Sequence, residues 1–142
     1  MGTITRPARV LYTAKTHTTG GREHGLSKSS DGRLEVHLAS PASTNQGTNP
    51  EQLFAAGWSA CFEGAMQLAA QQRKVTLPDT ASIDAEVDLR FDNGQFSLEA
   101  RMNITIPELS RDLAKEIVEA AESICPYSKA VKGNIVVEYN LV

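Results

Sequence analysis

The chain has 142 residues, 41% of them hydrophobic and 22% charged, the size and balance of one globular domain spanning residues 1–142. A net charge of −3 with scattered Lys and Arg gives a nucleic-acid role no electrostatic support. No run reaches the ~18 apolar residues of a membrane span, and residues 1–7 lack an apolar core of signal-peptide length, so the expected setting is the cytoplasm and not a membrane.

The first forty residues read as short strands. Arg9-Val10-Leu11-Tyr12 is one candidate, and Gly20-Gly21 marks a turn with Arg22 just beyond it. Asp31-Gly32 supplies another turn, followed by Arg33 to Leu38, where Leu34, Val36 and Leu38 alternate with Glu35 and His37. Thr48-Asn49-Pro50-Glu51 then has the form of a helix start: a cap, proline at the first helical position and an acid in the first turn. The helix is expected to run to about Lys74, a length of ~36 Å. Apolar or small residues occur on most of its sides, so a central, largely buried position is expected.

A hairpin follows. Ile83, Ala85, Val87, Leu89 and Phe91 alternate with polar residues up to Asn93-Gly94, and Phe96 to Ile106 alternates on the return. Pro107 ends that strand. Ser110 caps a second helix with an inner stripe of Leu113, Ile117, Ala120, Ala121 and Ile124, and a last strand covers Ile135 to Leu141. The predicted fold class is α+β, with helices packed on antiparallel sheet.

Cys61 and Cys125 are the only thiols, 64 residues apart. That separation excludes a local CxxC motif, and two cysteines with three dispersed histidines give no zinc-ligand spacing. Cys61 lies inside an apolar helix, where a free cysteine often serves as a small hydrophobe. Cys125-Pro126 is a helix junction, and backbone N–H groups at a fresh helix start favour a thiolate. Arg22 is a candidate cation for a thiol. Glu51 equally reads as an acid placed on the helix dipole.

Thr48 to Phe62 closely resembles the helix of the organic hydroperoxide resistance branch of the Ohr/OsmC family. Cys125-Pro126-Tyr127-Ser128-Lys129-Ala130, with Gly133-Asn134 beyond it, is similar to that branch's second-cysteine motif. The Gly20-Gly21-Arg22 turn and the order of elements also match, so the resemblance covers nearly the whole chain.

The resemblance implies a thiol-dependent peroxidase for organic and lipid-type hydroperoxides that uses neither metal nor haem and is re-reduced by a lipoylated protein or another dithiol. It makes Cys61 the peroxidatic cysteine, Cys125 the resolving one, Arg22 the guanidinium beside the reactive sulfur and Glu51 the carboxylate holding that guanidinium. It also implies an intertwined homodimer with sheets around a central helix. Helix geometry points the same way: ten residues separate Glu51 from Cys61, ~15 Å along a straight helix, so a second copy is needed to bring Glu51 to the thiol. Trp58, where the branch is expected to carry tyrosine, and Glu23-His24-Gly25 depart from the pattern and bear on substrate preference. Two other readings stay open: a redox-responsive binding protein without turnover, and a carrier of hydrophobic ligands.

Overall fold

The computed structural model describes residues 8–142, so the segment read for a targeting signal, residues 1–7, lies outside the described residues. By internal contacts the chain forms two compact units that divide between Asn49 and Pro50.

The first unit holds β1 (Thr16–Thr19), the one-turn helix α1 (Gly21–His24), β2 (Leu26–Ser29) and β3 (Glu35–His37), with its three strands in an antiparallel sheet of order β1-β2-β3. Gly20 and Gly21 both take positive φ, which lets the chain leave β1 and wind at once into α1. At the β2–β3 turn the Asp31 carboxylate accepts from the Ser29 hydroxyl at 2.6 Å and from the Arg33 N–H at 3.0 Å, an Asx-type closure. The strand expected at Arg9–Tyr12 does not form. Val10, Leu11 and Tyr12 are about four-fifths exposed, and a strand-like run becomes a strand only when a neighbour completes its hydrogen bonds.

The second unit comprises α2 (Pro50–Gln72), β4 (Ser82–Asp92), β5 (Gln95–Thr105), α3 (Arg111–Ile124), α4 (Pro126–Val131) and β6 (Val136–Leu141). Strands β4 and β5 pair antiparallel along their whole length, from Ser82 opposite Thr105 to Asp92 opposite Gln95. Asn93 and Gly94 both sit at positive φ, as a tight hairpin turn requires. Strand β6 instead pairs parallel with β5, so this sheet is mixed rather than purely antiparallel. The crossover through α3 and α4 accounts for this, because a helical connection returns the chain to the same end of the sheet.

The core lies between helices and sheet. From β5 it takes Ala100, Met102 and Ile104, with Ile106 just beyond the strand, and from α3 Ala114, Ile117, Val118 and Ala121. Ser110 caps α3 by accepting from the Leu113 N–H at 3.2 Å. Helix α2 packs on β4, α3 and α4 through Trp58, Phe62, Ala65, Met66, Ala69 and Ala70, spacings that keep one face inward over three turns. Phe62 is fully buried, worth about 1.5–3 kcal/mol in transfer from water. In the single chain the opposite stripe of α2, with Ala56, Ala60, Gly64 and Leu68, is exposed.

Candidate functional site

The two thiols reach one place from different elements. Cys61 lies midway along α2 between Trp58 and Phe62 and is half-buried. Cys125 is fully buried at the joint between α3 and α4, ending one helix and starting the next. Its extended backbone serves both: the Cys125 N–H donates to Ala121 O at 2.9 Å, and its carbonyl accepts from Lys129 N–H at 3.0 Å. Pro126, which has no N–H to satisfy, begins α4.

Because α2 packs on both α3 and α4, Cys61 packs against the core that holds Cys125, and the Cys125 thiol acts on the Cys61 thiol. Both cysteines are free thiols. The Tyr127 backbone amide lies on the same side and favours the Cys61 anion. Cys125 takes the capping position of α4, as the helix-junction reading expects.

Within this setting the Cys61 thiol is pushed above its ordinary pKa. Burial is the main cause and the neighbouring Cys125 thiol adds to it, while the Tyr127 amide opposes both. An anion at Cys61 therefore needs a cation.

Behind the thiols stands a polar bridge in an apolar frame. The Trp58 indole N–H donates to the Ser128 hydroxyl at 3.0 Å, and the Ser128 and Tyr139 hydroxyls share a hydrogen bond of 2.9 Å. Tyr139 stacks on Phe62 with ring centroids 5.3 Å apart. Phe54 meets Trp58 and Tyr127 edge-on at 5.5 and 6.3 Å. A side chain at Gly57 would come within 2.9 Å of the Tyr127 hydroxyl, so the tyrosine would have to shift to admit one. Ser128 and Tyr139 were not singled out from the sequence. Ser128 lay in view inside Cys-Pro-Tyr-Ser, but no local pattern says that its partner is an indole 70 residues away. Trp58, read from the sequence as bearing on substrate preference, is a fully buried framework residue.

Glu51 is in the first turn of α2, half-buried, and Arg22 is in α1 of the first unit. The contact between the thiols is therefore internal to the second unit. His17, His24 and His37 are exposed residues of the first unit. Among the described residues no three His, Cys, Asp or Glu side chains group as a metal site would need, and no helix is long and apolar enough to cross a membrane.

Residues 43–140, which include both cysteines and Glu51, match the model of the OsmC-like protein family. The organic hydroperoxide resistance protein of Xanthomonas axonopodis pv. citri is 43% identical over 95% of this chain and 97% of its own. The chain belongs to the OsmC-like family, in its organic hydroperoxide resistance branch. The crystal structure of OhrB, the organic hydroperoxide resistance protein of Bacillus subtilis, superposes with a TM-score of 0.88 at 38% identity, covering 94% of this chain and all of that one. An organic hydroperoxide resistance protein from Legionella pneumophila gives 0.86 at 36% identity, covering 94% and 98%. The mixed α+β architecture is therefore that of the OsmC-like fold.

Proposed function

We propose that this protein detoxifies organic hydroperoxides as a thiol peroxidase, with Cys61 as the peroxidatic residue and Cys125 as the resolving one. The role in organic hydroperoxide detoxification rests on the named relatives. What carries the thiol mechanism is one observation: the chain's only two cysteines, 64 residues apart in sequence, meet at one core, Cys125 within it and Cys61 packed against it.

In the first step the Cys61 thiolate attacks the terminal oxygen of ROOH. The O–O bond breaks, the alkoxide leaves with a proton as ROH, and Cys61 becomes a sulfenic acid. The Cys125 thiol then attacks that sulfur, forming the disulfide and releasing water. A dithiol, such as the lipoyl group of a lipoylated protein, reduces the disulfide by two exchanges and becomes a cyclic disulfide itself. Resolution by Cys125 stops oxidation short of the sulfinic acid.

Arg22 is assigned to the thiolate. Its guanidinium stays charged at all relevant pH and offsets the burial that raises the Cys61 pKa. Glu51 orients that guanidinium in a bidentate pair. Since Glu51 is ~15 Å along α2 from Cys61, the site is composite and the working form is a homodimer. Three features of the chain support a second copy: the unpaired strand-like run at Val10–Tyr12, the exposed stripe on α2, and the apolar hairpin tip of Leu89, Phe91 and Phe96. A reducing compartment such as the cytoplasm suits a disulfide that must be opened at every turnover.

Consumption of cumene hydroperoxide with dihydrolipoamide as reductant tests the reading. Native protein is expected to consume it well faster than hydrogen peroxide, and Cys61→Ser to fall to the uncatalysed rate. Equal turnover by native protein and Cys61→Ser would leave a binding protein without turnover.

A further inference from the structure

We propose that Ser128 is a positioning residue for the thiol pair: clamped between Trp58 and Tyr139, it holds the start of α4 so that Cys125 and the Tyr127 amide stay against Cys61. Among the described residues Ser128 is the one buried polar side chain, and it sits in a helix of six residues. So short a helix has no stability of its own, and its placement must come from tertiary anchors. The bond from Trp58 is such an anchor. Trp58 lies one turn before Cys61 on α2, so its indole ties α4 to the turn that carries the peroxidatic sulfur.

Tyr139 on β6 closes the arrangement from the other side. Its hydroxyl meets Ser128, and its ring stacks on Phe62, the residue next to Cys61. Trp58, Ser128, Tyr139 and Phe62 thus form a frame whose two ends lie on α2 on either side of Cys61. An indole N–H can only donate, so Ser128 must accept from Trp58 and is left to share one further bond with Tyr139. Cys125, Tyr127 and Ser128 lie within one turn of chain, so displacement of Ser128 moves the other two. The Ser128 hydroxyl bonds Trp58 and Tyr139, which makes it a positioning group rather than a catalytic one.

The test compares native protein with Ser128→Ala in two measurements. The first is the pH profile of Cys61 alkylation by iodoacetamide, followed by mass spectrometry. The second is the rate of Cys61–Cys125 closure after one equivalent of cumene hydroperoxide, with dimedone trapping any sulfenic acid. The alkylation profile is expected to move to higher pH as the Tyr127 amide withdraws. Closure is expected to slow about 10-fold or more, with trapped sulfenic acid accumulating. An unmoved profile with unchanged closure, whatever the melting temperature does, overturns the proposal.

If Ser128→Ala does not fold, Trp58→Phe and Tyr139→Phe each remove one bond and keep a ring in place; no shift in either has the same meaning. The closure measurement rests on the thiol-peroxidase reading, whereas alkylation does not. A native protein inert to peroxide would therefore sink that reading while the alkylation profile still decides the role of Ser128.

Discussion

Helices α2 and α3 pack on each other, yet they divide their apolar residues in different ways. Helix α3 is a one-sided element: Ala114, Ile117, Val118 and Ala121 are buried, and Lys115, Glu116, Glu119 and Glu122 face water. Helix α2 buries an equally regular face, but its other side carries Ala56, Ala60, Gly64 and Leu68, which one chain leaves exposed. The first pattern is explained by the stability of one chain. The second exceeds what one chain buries, and the excess lies on the helix that holds Cys61. A surface helix is spared apolar residues on its outer side unless something covers them.

Truncation inside the shared core should show the two helices as equals. Phe62→Ala on α2 is expected to cost about 3–5 kcal/mol and Ile117→Ala on α3 about 2–5 kcal/mol, measured by urea unfolding. A cost under 1 kcal/mol at Phe62 would mean that α2 is not a core element. Changes on the outer faces should separate them. Lys115→Ala on α3 is expected to stay within about 0.5 kcal/mol of native protein and to leave association and activity alone. Ala60→Arg on α2 should abolish dimerisation in sedimentation experiments and reduce peroxide turnover with it. A fully active monomeric Ala60→Arg protein would remove the difference between the helices and the composite site together.

The smallest expected effect is in the pH dependence of stability. Burial raises the folded-state pKa of Cys61 above its unfolded value, which lies near 8.5. Its contribution is therefore fully present below about pH 8.5 and is lost as pH rises through the folded pKa. Cys61→Ser should flatten the alkaline side of the stability profile under reducing conditions. Arg22→Ala should steepen that slope, since the guanidinium no longer offsets burial; an unchanged slope in both variants would mean that the sulfur is not desolvated. Changes on the polar face of α3 should leave that slope as it is.

How much of this was legible in the sequence depended on how local each cause is. The β4–β5 hairpin was readable because five apolar residues alternate on the way out and Asn93-Gly94 turns the chain. The start of α2 at Pro50 and the Ser110 cap of α3 were readable for the same reason. Strand β2 was not, since Leu26-Ser27-Lys28-Ser29 offers one large apolar residue and no alternation to detect. Arg9–Tyr12 has strand composition without a paired neighbour, and composition alone cannot supply one. The parallel placement of β6 follows from the crossover through α3 and α4 rather than from its own residues. At the site, residue type and motif singled out the cysteines. That the Tyr127 amide acts on Cys61, and that Ser128 bridges Trp58 and Tyr139, depends on pairs 66, 70 and 11 positions apart that no local pattern records.

The most direct test follows the sulfurs through one turnover. Reduced protein is treated with one equivalent of cumene hydroperoxide, quenched by dimedone and acid, and weighed intact beside Cys125→Ser. Native protein should lose two hydrogens as Cys61 and Cys125 join. Cys125→Ser should instead carry one dimedone adduct, mapped to Cys61. An adduct mapped to Cys125 in native protein, or thiols left reduced while the peroxide persists, would contradict the account.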